Sequence, residues 1–147
     1  MSEKISIITG STLGAAEYVG DHLGDVLQEK GFDVTVQNAV ILDEVIDDKI
    51  WLIVTSTHGA GDLPDNLKPL MNQIAEEKTD LSGRRFAVVG LGNSDYDTFC
   101  FAVDKVENLL LAQGAVRLCD ALRIDVLTEE NHEQAAENWL PNFIAAL

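Results

Sequence analysis

The sequence predicts an α/β fold in three layers: a parallel sheet of five strands in the order 2-1-3-4-5, with helices on both faces. Three observations predict it. Five short apolar runs alternate with stretches of helical periodicity, the pattern of repeated strand–helix crossovers, which are right-handed. The run Trp51-Leu52-Ile53-Val54 is apolar throughout, as strands covered on both faces are. No repeat, linker or low-complexity stretch divides the chain, so residues 1–147 read as a single domain.

The elements follow in order. Lys4–Thr9 is an apolar run and the first strand, and the helical pattern from Ala15 to Lys30 is stopped by Gly31. Phe32–Gln37 alternates, as a second strand does, and Trp51–Val54 is the third. A helix over Asn66–Glu77 places Pro69 in its first turn, where proline is tolerated. Arg84–Val89 is the fourth strand, and Asp97–Gln113 a helix closed by Gly114. Val116–Ile124 is the fifth strand, interrupted by polar residues, and Glu133–Leu147 is a final amphipathic helix.

With 147 residues, 46% of them hydrophobic, the chain is large enough for a real core. No apolar run reaches the ~18–20 residues of a membrane helix. The opening MSEKISIITG lacks a cleavable signal pattern, because its apolar run reads as a strand. The expected compartment is the cytoplasm, with no membrane partner. Cys100 and Cys119 make no disulfide framework and lack metal-site spacing. Both are expected to be reduced packing residues, with Cys100 also a candidate for grazing a ligand. Ten basic residues against 25 acidic ones give a net charge of −15. That balance argues against DNA or RNA, whose phosphates need clustered Lys and Arg. The charge serves either solubility or long-range steering toward a basic protein.

Three loops at strand ends carry candidate chemistry. The first strand ends in Thr9-Gly10-Ser11-Thr12-Leu13-Gly14-Ala15-Ala16-Glu17. Free amides and the helix dipole make an anion site there, with Ser11 and Thr12 adding hydroxyls. The alternative is a simple Ser/Thr cap on the helix. The loop is neither a Walker A motif nor a dinucleotide glycine fingerprint. The third strand empties into Thr55-Ser56-Thr57-His58-Gly59-Ala60-Gly61-Asp62-Leu63-Pro64-Asp65-Asn66. No spacing gives His58 a metal or catalytic partner; it is either a surface histidine or a ring lying against a flat ligand. The fourth strand ends in Gly90-Leu91-Gly92-Asn93-Ser94-Asp95-Tyr96-Asp97-Thr98-Phe99-Cys100. Its glycines permit close backbone approach, and Tyr96 offers a stacking face. In the predicted order the switch point falls between strands one and three. A phosphate on the first loop would set an attached ring between the other two, the geometry of a flavin mononucleotide (FMN) site.

At these residues the chain resembles the flavodoxins and the FMN domains of diflavin reductases such as cytochrome P450 reductase, nearly end to end. It is most similar to the short bacterial MioC-type flavodoxins. GSTLGAAEY resembles the family's phosphate loop, and THGAGDLPDN and GLGNSDYDTF resemble the loops on either side of the flavin. The resemblance implies an FMN-binding electron-transfer protein with no catalytic residues and no metal. It implies that Ser11, Thr12, Leu13, Gly14, Ala15 and Ala16 wrap the phosphate. Relatives often read Thr-Gly-Asn-Thr where this chain has Leu13-Gly14-Ala15-Ala16, so two side-chain hydrogen bonds are missing. At roughly 0.5–1.5 kcal/mol each, their loss weakens FMN binding without abolishing it.

By the same resemblance Thr57, His58, Gly59, Ala60 and Gly61 line the inner edge of the ring. Relatives carry Trp or Tyr at the His58 place, and a protonated imidazole there would stabilise a reduced, anionic flavin. Tyr96 stacks on the outer face, Leu91, Gly92 and Asn93 meet the rim, and Phe99 and Cys100 follow into the helix. Asp125 lies where relatives place an acid near the flavin, or is a solvated loop acid. Asp62, Asp65, Asp95, Asp97, Glu129 and Glu130 form an acidic rim suited to an NADPH-dependent flavodoxin or ferredoxin reductase as donor. The acceptor implied by resemblance is biotin synthase.

Two other classes remain open. One is an NAD(P)H-dependent quinone or nitro reductase on the same fold, for which the chain offers no basic patch for an NADP phosphate. The other is a flavin-free regulatory module such as a receiver, which needs aspartates where this chain has Thr9-Gly10.

Overall fold

The computed structural model describes residues 4–10, 15–38, 40–56, 63–92 and 100–147. Four strands, β1 (Ile5–Gly10), β2 (Val34–Asn38), β3 (Ile50–Ser56) and β4 (Arg85–Gly92), form the body of the sheet. Its far edge is built from two short pieces, β5 (Val116–Arg117) and β6 (Leu122–Asp125), both paired with β4. Every pairing is parallel and the order is β2-β1-β3-β4-β5, the expected one.

Among the described residues five helices cover the sheet: α1 (Ala15–Glu29), α2 (Leu42–Val45), α3 (Lys68–Glu77), α4 (Phe101–Ala112) and α5 (His132–Ala145). Side chains along a strand alternate between faces, and here both faces are core. Ile5, Ile7, Leu52, Val54, Ala87 and Val89 pack with α1 and α5. Ile8, Trp51, Ile53, Phe86 and Val88 pack with α3 and α4. This double burial is why the third and fourth strands read as unbroken apolar runs. No described helix is long and apolar enough to cross a membrane.

The stops act as the sequence suggests. Gly31 (φ +93°) and Gly114 (φ +101°) follow α1 and α4 in the left-handed region, and Pro69 sits in the first turn of α3. The single turn α2 is too short for any periodicity to reveal. It forms because Leu42 and Val45 are buried and the Leu42 N–H donates to Gln73 Oε1 of α3 at 3.1 Å.

The fifth strand is where the structure departs from the expected single run. Arg85 and Phe86 face Val116 and Arg117, whereas Val89 faces Leu122. Two residues of β4, Ala87 and Val88, therefore lie opposite four of the edge, Leu118–Ala121. This is a bulge, and its even count preserves the alternation of faces on either side. Trp139 Nε1 of α5 donates to the Asp120 carbonyl in the bulge at 3.1 Å. Arg117 lies 3.6 Å from both Glu107 of α4 and Asp120.

Candidate functional site

β1, β3 and β4 end side by side at one edge of the sheet. Gly10 pairs with Thr55, Ser56 with Leu91, and Gly92 with Asp125. The chain leaves β1 for α1 on one face, and leaves β3 for α3 on the other. The switch point thus lies between β1 and β3, where open α/β sheets bind their ligands.

Twelve of the candidate residues, Ser11, Thr12, Leu13, Gly14, Thr57, His58, Gly59, Ala60, Gly61, Asn93, Tyr96 and Phe99, lie outside the described residues, as do the rim acids Asp62, Asp95 and Asp97. The described candidates sit around the same edge. Ala15 and Ala16 open α1, and Ala16 is fully buried. What that turn offers a ligand is therefore its amides and the positive end of the dipole. Leu91 turns its side chain into the core beside Val89, and the Gly92 carbonyl accepts from the Val126 N–H at 2.9 Å. Asp125 Oδ1 accepts from the Leu127 N–H at 3.0 Å, which shapes the turn after β6. Of the rim acids, Asp65 lies 3.5 Å from Lys68 Nζ, and Glu129 and Glu130 are exposed.

Cys100 precedes α4 with φ +53° and has no exposed surface. Its Sγ lies 3.8 Å from where a Cβ on Gly90 would stand. Burial pushes the thiol up to about 11, partly opposed by the nearby Arg123. The thiol is a protonated group packed into the core, as the packing role expected of it requires.

The structure adds a residue that sequence reasoning passed over as a helix start. Asn66, just before α3, donates through Nδ2 to Glu17 Oε1 in the first turn of α1 at 3.3 Å. Its Oδ1 is buried with no hydrogen-bond partner among the described residues. A bare buried acceptor costs about 1–3 kcal/mol. Beside it, a Cβ on Gly10 would lie 2.8 Å from Leu67 Cβ and 3.2 Å from Asn66 Oδ1. The end of β1 is closed to any side chain. The only sequence signal was a polar residue ending the loop after the third strand.

A cleft of 360 Å³ opens next to this edge, lined by Thr9, Glu17, Asp21, Val36, Gln37, Asn38 and Glu44. It holds three carboxylates and no Lys or Arg, so it repels phosphate. The unfilled acceptor and the glycine strand end fit a ligand that brings its own hydrogen-bond donors, as a flavin with a polyol chain does.

The family model for flavodoxins matches residues 7–139. The chain belongs to the flavodoxin family. It is 55% identical to the MioC homolog of Pasteurella multocida over 147 residues, covering all of both chains. It is 44% identical to MioC of Escherichia coli K12 over 143 residues, 97% of each. Among solved structures, a cysteine-to-serine variant of flavodoxin from Pseudomonas aeruginosa superposes with a TM-score of 0.91 at 37% identity, over 98% of each chain. The flavodoxin fold and a flavin-dependent electron-carrier role follow from this membership.

Proposed function

We propose that this flavodoxin binds FMN and carries electrons from an NADPH-dependent flavoprotein reductase to an acceptor enzyme, rather than acting as an enzyme itself. The observation that carries the proposal is the flavodoxin match over residues 7–139, joined to a switch point at which three central strands end together. FMN, when bound, supplies one-electron redox steps.

The chain's own residues bind and orient it. The amides from residue 11 to Ala16, with the hydroxyls of Ser11 and Thr12, hold the phosphate. Thr57–Gly61 line one side of the ring, Tyr96 stacks on the other, and Leu91, Gly92 and Asn93 offer backbone groups at the rim. A net charge of −15 disfavours further negative charge on the ring and so favours a low potential. Asp65, Glu129 and Glu130, with Asp62, Asp95 and Asp97, suit docking to basic faces of the donor reductase and of the acceptor. Biotin synthase, an iron–sulfur enzyme, is the acceptor we propose. Electron transfer to either partner should slow as ionic strength rises.

The test is direct. The purified chain should show a flavin absorption spectrum and release FMN, identified by chromatography, rather than FAD or riboflavin. It should not oxidise NADPH rapidly without a reductase. A colourless chain that fails to take up added FMN overturns the proposal, and rapid NADPH oxidation by the chain alone favours a reductase instead. At His58, the bound flavin's potential should vary with pH near about 6.5 in wild type and lose that variation in His58→Phe. An unchanged profile removes the histidine's role.

A further inference from the structure

Asn66 spans the carboxyl edge of the sheet from one helical layer to the other. Its neighbour Leu67 packs over Gly10 on the α3 side, while its Nδ2 reaches Glu17 of α1 at 3.3 Å. Glu17 fixes which way the amide faces. A carboxylate only accepts hydrogen bonds, so the NH₂ end must point at it and the carbonyl oxygen away. Oδ1 is thereby presented as a buried acceptor, without a partner among the described residues. It stands 3.2 Å from the Cβ that Gly10 lacks, at the switch point between β1 and β3.

Such an atom calls for an O–H or N–H donor and repels phosphate oxygens. FMN offers both chemistries along its length, with a phosphate at one end and three hydroxyls on the polyol that joins it to the ring. We propose that Asn66 Oδ1 accepts a hydrogen bond from a hydroxyl of that polyol, making Asn66 a binding residue for the flavin and Glu17 the residue that positions it. The proposal rests on the FMN reading above. The contact selects for the polyol independently of the phosphate and of the ring. Gly10 must then stay a glycine, because a Cβ there would press on the amide as well as on Leu67.

The experiment titrates the full, flavin-free chain with three ligands: FMN, riboflavin, which lacks the phosphate, and lumiflavin, which lacks the polyol. Asn66→Ala should weaken FMN and riboflavin by the same factor, about tenfold, and leave lumiflavin unchanged. Equal weakening of all three, as a residue that merely shapes the edge would give, overturns the assignment, as does undiminished riboflavin affinity. Should Asn66→Ala fold poorly, the wild-type chain answers through the ¹³Cγ resonance of Asn66. It should move downfield with riboflavin and stay in place with lumiflavin; the same movement with both, or none with either, overturns the proposal. A wild-type chain that binds none of the three ligands overturns the FMN reading, and this contact with it. Failure of the Asn66 tests in a chain that binds FMN overturns the contact alone.

Discussion

Gly20 and Gly24 lie one turn apart on the face of α1 that rides over β1 and β2. A Cβ on Gly20 would stand 2.4 Å from Thr9 Cγ2, and one on Gly24 2.6 Å from Val36 Cγ2. Ordinary carbon–carbon contact is about 3.5–4.0 Å, so an alanine at either place forces α1 to withdraw by roughly 1 Å. Two effects oppose each other. Alanine in a helix interior is favoured over glycine by about 1 kcal/mol, while overpacking a well-packed core costs about 1–3 kcal/mol. The steric side wins, because Thr9 and Val36 are β-branched and stiff at χ1 and sit on sheet strands. Gly20→Ala and Gly24→Ala should each destabilise by about 1 kcal/mol. The double variant should be no worse than either single one, since one withdrawal of the helix accommodates both methyls and the second alanine adds only its helical preference. Urea unfolding of the flavin-free chain, followed by far-UV circular dichroism, measures all four corners of the cycle. Thr9→Ser removes the obstructing methyl, and in that background Gly20→Ala should turn stabilising. Stabilisation by Gly20→Ala alone, or additive destabilisation in the double variant, refutes the close approach.

Three further outcomes are expected. Lys78 closes α3 with φ +48° and ψ +50°, a left-handed conformation that glycine adopts without strain, so Lys78→Gly should stabilise the chain by about 1 kcal/mol in urea unfolding. Asn131 caps α5 by accepting from the Gln134 N–H at 3.0 Å, and Asn131→Ala should cost about 1 kcal/mol by the same measurement. The Cys100 thiol is raised from 9.0 to about 11 by burial. The unfolded chain therefore loses that proton first, and Cys100's contribution to stability should be intact below pH 9 and lost as pH rises toward 11. A urea midpoint that falls across that window in wild type more than in Cys100→Ala confirms it. Alkylation near neutral pH should also label Cys119 and spare Cys100.

Burial explains why the sheet could be read from the sequence. Trp51–Val54 and Phe86–Val89 are apolar on both faces because α1 and α5 cover one and α3 and α4 the other. Right-handed crossovers then leave few orders for the strands. The site was legible as loops at strand ends, because glycines and hydroxyls after a strand are local signals. Asn66 was not. Its importance lies in a partner 49 residues away, Glu17, and in an oxygen left bare by the packing around Gly10. The packing role of Cys100 was expected, but its left-handed backbone carries no sequence signal at a cysteine.

Period, punctuation and motif are properties of neighbours in the chain, so the parallel sheet, the helix stops at Gly31 and Gly114 and the flavodoxin resemblance could be read from it, and the resemblance brings the strand order with it. The build of the last strand and last helix follows from contacts between distant parts of the chain. The bulge at Leu118–Ala121 is held by Trp139 from α5 and by Arg117 between Glu107 and Asp120. α5 continues through Pro141, which removes a helical hydrogen bond, because Trp139, Leu140 and Phe143 are buried around it. In both places long-range burial outweighs a local preference, and no window along the chain contains the residues that decide it.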